Sequence, residues 1–178
     1  TYYITNTIIK YLLIIMTPIQ EIILNKKTTN TPIWLMRQAG RYLPEFRKIR
    51  KSNPNFINLC LDENLCSEIT VQPLRRFELD AAIIFSDILM LPYGLNQKVE
   101  FKKDFGPQLG PLDLETISKI DEIGFLKKLY PIYKSIKKVS GNNLIKNKNL
   151  IGFIGAPWTL LVYMINKHSP KKKLIKDF

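Results

Sequence analysis

Pro32-Ile33-Trp34-Leu35-Met36-Arg37-Gln38-Ala39-Gly40-Arg41-Tyr42-Leu43-Pro44-Glu45-Phe46-Arg47 is the stretch on which the reading of this chain turns. The apolar run from Pro32 to Met36 is bounded by turn-formers and too brief for a helix. It predicts a buried strand that ends where the charge begins. Arg37 and Arg41 then sit at the carboxyl edge of that strand. Gly40 lets the backbone turn where a side chain would obstruct it. Pro44 followed by Glu45 predicts the first turn of a helix through about Lys51.

Arg37 and Arg41 lie four apart with only uncharged residues between them. Two planar guanidiniums on one loop can each grip a carboxylate or phosphate through paired hydrogen bonds, which makes the loop an anion clamp. Salt-bridged surface arginines are the equally simple reading of an arbitrary pair. Delivery of both by an apolar strand favours the clamp.

Working outward, Asp80-Ala81-Ala82-Ile83-Ile84-Phe85-Ser86-Asp87 predicts a second strand. Its continuous apolar centre suits burial on both faces of a parallel sheet. It ends at Asp87, a carboxylate at the same edge as Arg37. From the residues alone, Asp87 is equally a functional acid or the cap of a following helix. The third strand is Leu150-Ile151-Gly152-Phe153-Ile154-Gly155, running into Ala156-Pro157-Trp158-Thr159-Leu160. Pro157 there starts a helix that carries Tyr163 about two turns in. Without further information Tyr163 is best read as a half-buried core tyrosine. Helical segments between the strands make successive βαβ-type units and an α/β class. Pattern alone leaves a barrel and a doubly wound sheet unresolved. In both, ligands collect at the carboxyl ends of the strands, where Arg37, Arg41 and Asp87 fall.

Met36 to Arg47 resembles the N-terminal signature of the uroporphyrinogen decarboxylase family. Ile84-Phe85-Ser86-Asp87-Ile88-Leu89 and Gly155-Ala156-Pro157-Trp158-Thr159-Leu160 resemble two further family motifs, so the similarity runs from about Thr17 to the last residues. The resemblance implies a (β/α)8 TIM barrel and a cofactor-free, metal-free lyase. Such an enzyme removes the four acetate carboxylates of uroporphyrinogen III to give coproporphyrinogen III, in porphyrin and heme biosynthesis. It implies substrate contacts from Arg37, Gln38, Ala39, Gly40 and Arg41, with Arg37 also assisting proton transfer. Asp87 would stabilise the protonated pyrrole, and Tyr163 would line the pocket. It further implies a homodimer at full length. A corrinoid-dependent methyltransferase of the same superfamily, which would use zinc, is the alternative enzyme; Arg37, Arg41 and Ser86-Asp87 argue against it.

Length qualifies the resemblance. A (β/α)8 barrel takes roughly 250 residues, and this chain has 178. The expectation is therefore the N-terminal half of a barrel over residues 16–178, inactive by itself. Residues 1–15 are read as upstream read-through or a leader. Ile8 to Met16 is too short an apolar run for a membrane span and has no small-residue cleavage site.

The net charge of +12 invites a nucleic-acid reading, but only six of the 27 basic residues are arginine. The lysines cluster at Lys127 to Lys148 and Lys167 to Lys176 among polar residues, as on solvated faces. Zinc-finger spacing and RNP-like aromatics are missing, so a non-enzymatic basic binding module ranks below the enzyme. Neither nucleic acid nor membrane is expected as a partner, and positive charge would attract a polycarboxylate substrate. Cys60 and Cys66, the two cysteines, are too few for a disulfide framework and read as small core residues of a cytoplasmic protein.

The remaining segments predict supporting structure. A helix over Asp62 to Phe77 should be kinked or split by Pro73, with Arg75 and Arg76 placed structurally against the helix dipole. Pro92-Tyr93-Gly94 predicts a turn, Val99-Glu100-Phe101 a short extra strand, and Asp113 to Val139 one or two helices ended by Gly141. His168, the single histidine, lies in a loop-like context and is given no catalytic role.

Overall fold

Proline and the short polar side chains set the element boundaries in the first half of the chain. The computed structural model describes residues 16–25, 28, 30–102 and 105–169. Residues 1–15, for which a leader or read-through is expected, and most of the lysine-rich end lie outside them. Helix α1 spans Pro18–Asn25. Helix α2, Pro44–Ser52, starts with Pro44 in its first turn, where a missing N–H costs nothing. Asn55 caps α3, Phe56–Leu61, by accepting from the Asn58 N–H at 3.0 Å. Asp62 then ends α3 and caps α4, Glu63–Val71, accepting from Asn64 and Leu65 at 2.9 Å. The helix expected from Asp62 is thus preceded by a separate one. As expected, Pro73 breaks the pattern, here into a 3-10 turn over Pro73–Arg75.

Arg75 and Arg76 are structural, though carboxylates rather than a helix dipole hold them. Arg75 pairs with Glu68, and Arg76 grips both oxygens of Glu45 at 2.6 and 2.9 Å.

The sheet is smaller than the sequence pattern predicts. Strand β1 is Ala81–Ile83 and β4 is Asn149–Ile151. They pair in parallel with Ala81 opposite Asn149 and Ile83 opposite Ile151. Between them lie α5 (Met90–Gly94), an antiparallel hairpin of β2 (Val99–Lys102) and β3 (Gly106–Leu109), α6 (Leu114–Ser118) and α7 (Glu122–Ser140). Helix α8, Pro157–Asn166, follows β4. The turn expected at Pro92-Tyr93-Gly94 is instead the short helix α5. It tolerates Pro92 because the early N–H groups of a helix have no internal partner.

Pro32 to Met36 is the main correction: no strand forms there, and Ile33 and Met36 are 56% and 77% exposed. Its main chain is held just before β1 at Ile33, whose carbonyl accepts the Asp80 N–H at 2.8 Å and whose N–H donates to Asp80 Oδ2 at 2.6 Å. On its other side no described residue supplies a ladder, so the apolar run lacks the second neighbour that burial on both faces requires.

Phe85 is the hub of the core. Its ring meets Phe46 and Phe56 edge-on, with centroids 5.9 and 5.6 Å apart, and borders three of the four buried clusters. Its backbone leaves the sheet, and α4 takes over its hydrogen bonds. The Phe85 N–H donates to Thr70 Oγ1 at 2.9 Å, and Cys66 Sγ donates to the Phe85 carbonyl at 2.9 Å. Thr70 is buried and also donates to the Cys66 carbonyl at 2.8 Å. Thr70→Val is therefore expected to strand the Phe85 N–H and cost about 1–3 kcal/mol of stability, whereas Thr70→Ser should retain most of it. Denaturant unfolding of the two variants beside the parent checks this.

Candidate active site

Parallel pairing brings two loops to one edge. β1 and β4 run out together, with the Ile84 N–H donating to the Ile151 carbonyl at 3.0 Å. The Phe85–Asp87 turn and the Gly152–Ala156 loop therefore leave side by side. A Cβ on Gly155 would stand 2.8 Å from Leu160 Cγ and 3.1 Å from Ile88 Cβ, so only glycine permits this approach.

Asp87 is half-buried in that turn. Its Oδ1 accepts the Leu89 N–H at 2.8 Å, and its carbonyl accepts the Met90 N–H at 3.1 Å. The capping role and a chemical role are thus compatible, because one oxygen caps the turn and the other has no hydrogen-bond partner among the described residues. Burial pushes the carboxyl above its ordinary pKa, and the Leu89 N–H opposes this without cancelling it. Among the described residues no cation bridges it. An incompletely satisfied carboxylate at the carboxyl edge of a parallel strand is poised to accept donors that carry positive charge.

The arginine loop approaches the same strand from the side away from β4. Gln38 is 3% exposed, and its side-chain amide bonds both the Ala81 carbonyl and the Ile83 N–H. The Leu43 N–H closes the turn onto the Gly40 carbonyl at 3.0 Å. Arg47 Nη1 donates to the carbonyls of Arg41 and Tyr42 at 2.8 and 3.1 Å. Phe46, one helical turn on, seats against Phe85. The loop is therefore tied at both ends to the strand that leads to Asp87. Arg37 and Arg41 themselves are exposed, and among the described residues neither guanidinium makes a hydrogen bond or ion pair. Ala39 packs against the cluster of Leu43, Phe46, Leu59 and Ile69.

Tyr163 lies in the second turn of α8, half-buried, with its hydroxyl 3.3 Å from Ser169 Oγ. It packs on the cluster that Phe85 and Ile88 also border. The arginine loop and the Asp87 turn thus converge through Gln38 and Phe85, and Tyr163 joins through shared packing. No direct hydrogen bond or ion pair links the four among the described residues. A cavity of about 490 Å³ opens elsewhere, between α3 and the hairpin, and none of the four lines it.

Residues 16–177 match the family profile of uroporphyrinogen decarboxylase (URO-D). The chain belongs to the uroporphyrinogen decarboxylase family. It is 48% identical over 147 residues to a uroporphyrinogen decarboxylase of Agrobacterium fabrum, covering 82% of this chain and 42% of that protein. It is 46% identical over 137 residues to that of Brucella ovis, covering 77% and 40%. The chain thus spans about two fifths of the length of these relatives.

Within this uroporphyrinogen decarboxylase domain, two arginines emerge that the sequence reading left without a role. Arg47 locks the loop carbonyls, as described above. Arg50 lies over the Phe56 ring at 5.4 Å and donates to the Asn53 and Pro54 carbonyls at 2.6 and 3.0 Å. Burial pulls its guanidinium below the ordinary value, and the charge of Arg41 pulls the same way. Arg47 and Arg50 thus add positive charge on α2 next to the loop of Arg37 and Arg41. The available signal was helical spacing, since Arg47 and Arg50 fall three apart on α2.

Cys60 and Cys66 are buried, and burial pushes both thiols up, consistent with inert core residues. His168 is exposed, with Nδ1 3.0 Å from the Ser169 carbonyl. No helix among the described residues is long and apolar enough to cross a membrane, and they contain no group of three metal-ligating side chains.

Proposed function

We propose that this chain is the N-terminal half of a uroporphyrinogen decarboxylase barrel. The whole enzyme would convert uroporphyrinogen III to coproporphyrinogen III without a cofactor. The observation that carries the reading is the incompletely satisfied, half-buried Asp87 at the edge of β1, flanked by a two-arginine loop that is tied to the same strand. The names of the matching relatives support the same reaction.

Loss of an acetate carboxyl as carbon dioxide leaves an electron pair, and a pyrrole protonated on carbon can receive it. That protonated ring is a cation whose N–H bonds a fixed carboxylate can accept. Asp87 supplies this stabilisation where water is partly excluded. Arg37 and Arg41 hold substrate carboxylates and orient the ring, and Arg37 also assists the proton transfer. Backbone groups of Gln38, Ala39 and Gly40 line the same loop, and Tyr163 closes the pocket from α8.

Exposed apolar residues support the barrel half. Ile33, Trp34, Leu35 and Met36 lie beside β1, and Phe153 and Ile154 follow β4, all with large accessible surface. Further strands on both sides would cover them. Homodimer formation and a cytoplasmic location belong to the same proposal.

Anaerobic incubation of uroporphyrinogen III with the full-length protein, followed by chromatography that counts carboxylates, tests the reading. The four-carboxylate product is expected. Retention of all eight carboxylates would sink it.

A further inference from the structure

Gln38 lies between Arg37 and the rest of the clamp loop, and it faces inward. Its Nε2 donates to the Ala81 carbonyl at 2.8 Å, and its Oε1 accepts the Ile83 N–H at 3.1 Å. Those are the two main-chain groups that a neighbouring parallel strand would engage, its residue donating to one carbonyl and accepting from an N–H two residues on. The opposite side of β1 is occupied, since the Ile84 N–H goes to Ile151. Pro32 to Met36 forms no ladder here, so one side-chain amide takes the place of a peptide unit in the first parallel pairing. Its own carbonyl accepts the Tyr42 hydroxyl, which folds the loop back over it.

We propose that Gln38 is a positioning residue: its side-chain amide acts as a surrogate strand residue that sets the phase of Arg37 and Arg41 against Asp87. Any substrate contact from Gln38 then falls to its main chain, and the proposal rests on the decarboxylase reading for what the arginines hold. Ile83 stands four residues before Asp87 on one continuous run, so a shift of the loop along β1 displaces both guanidiniums relative to the carboxylate together. Only a carboxamide of this length carries both a donor and an acceptor. Methionine has no donor and only a weak thioether acceptor, and glutamate has the donor only when protonated.

The test uses the full-length enzyme with Gln38→Met and Gln38→Glu beside the parent, kcat and KM being measured from pH 6 to 8. For Gln38→Met, kcat is expected to fall about 10- to 100-fold, a misplacement effect, with a smaller change in KM. For Gln38→Glu, activity relative to the parent is expected to rise about fivefold or more from pH 8 to pH 6, as the buried carboxyl takes up a proton and regains its donor. A residue that merely filled space would leave that ratio flat. Amide exchange at Ile83, read in parallel, should quicken in Gln38→Met. Unchanged exchange at Ile83, kcat within twofold of the parent in Gln38→Met, or a flat ratio in Gln38→Glu would overturn the proposal. An inactive parent overturns the decarboxylase reading instead, and Ile83 exchange then still decides whether the amide pins the loop.

Discussion

Asp87→Asn in the full-length enzyme is expected to lower kcat by about 10²- to 10³-fold, the usual cost of removing one preorganised group that faces developing charge. Substrate affinity should change little, because the ground-state pyrrole is neutral and the carboxylate acts on the cation. The same substitution should raise thermal stability at neutral pH. Burial pushes the Asp87 carboxyl up, so the folded protein holds a proton that the unfolded chain releases. Stability therefore falls as pH rises from the ordinary carboxyl pKa through the raised one. The penalty is complete above that window and absent below it. Asparagine never carries the charge, so its advantage should appear at neutral pH and vanish in acid. Melting curves at several pH values, set beside kcat, check both halves. Loss of activity together with loss of stability at neutral pH would mean that Asp87 is chiefly the cap of the turn it shares with Leu89.

Arg37→Lys should be the second large effect. A lysine keeps the charge but loses the planar fork that holds a carboxylate through two bonds. Truncating one member of a desolvated charge pair costs about 2–5 kcal/mol. A loss of roughly 30-fold or more in kcat/KM is therefore expected for Arg37→Ala, with Arg37→Lys recovering only part of it. Both guanidiniums are exposed, so neither variant should unfold the protein. Unchanged melting beside a raised KM distinguishes loss of the clamp from loss of the loop. A KM and kcat both within twofold of the parent in Arg37→Ala would remove Arg37 from the site.

The candidate site was legible where chemistry and local punctuation coincide. Two arginines four apart before Gly40 and Pro44, and an aspartate ending an apolar run, are local patterns, and their motif context named the family. Helix starts at Pro44 and Pro157, and the break at Pro73, followed from proline's fixed φ and missing N–H. Arg50 escaped notice because helical spacing pairs it with Arg47 without showing that it lies over Phe56 and holds the Asn53 and Pro54 carbonyls. Helix α5 was missed because Pro92 reads as a turn-former until the chain around it is seen to need no N–H at that position.

By itself, the order of residues determined the α/β class and the family and marked Arg37, Arg41 and Asp87 as candidates, because these rest on side-chain type and short-range spacing. Only the tertiary structure decided which of them meet. The strand that Pro32 to Met36 should form depends on having neighbours on both sides, and hydrophobic pattern records an appetite for burial without recording its partners. In its place a buried carboxamide binds the loop to β1, and Phe85, relieved of sheet pairing by Thr70 and Cys66, turns the chain toward Asp87. Those contacts join residues far apart in the chain, and hydrogen-bond satisfaction across such distances is settled only when the backbone has been placed.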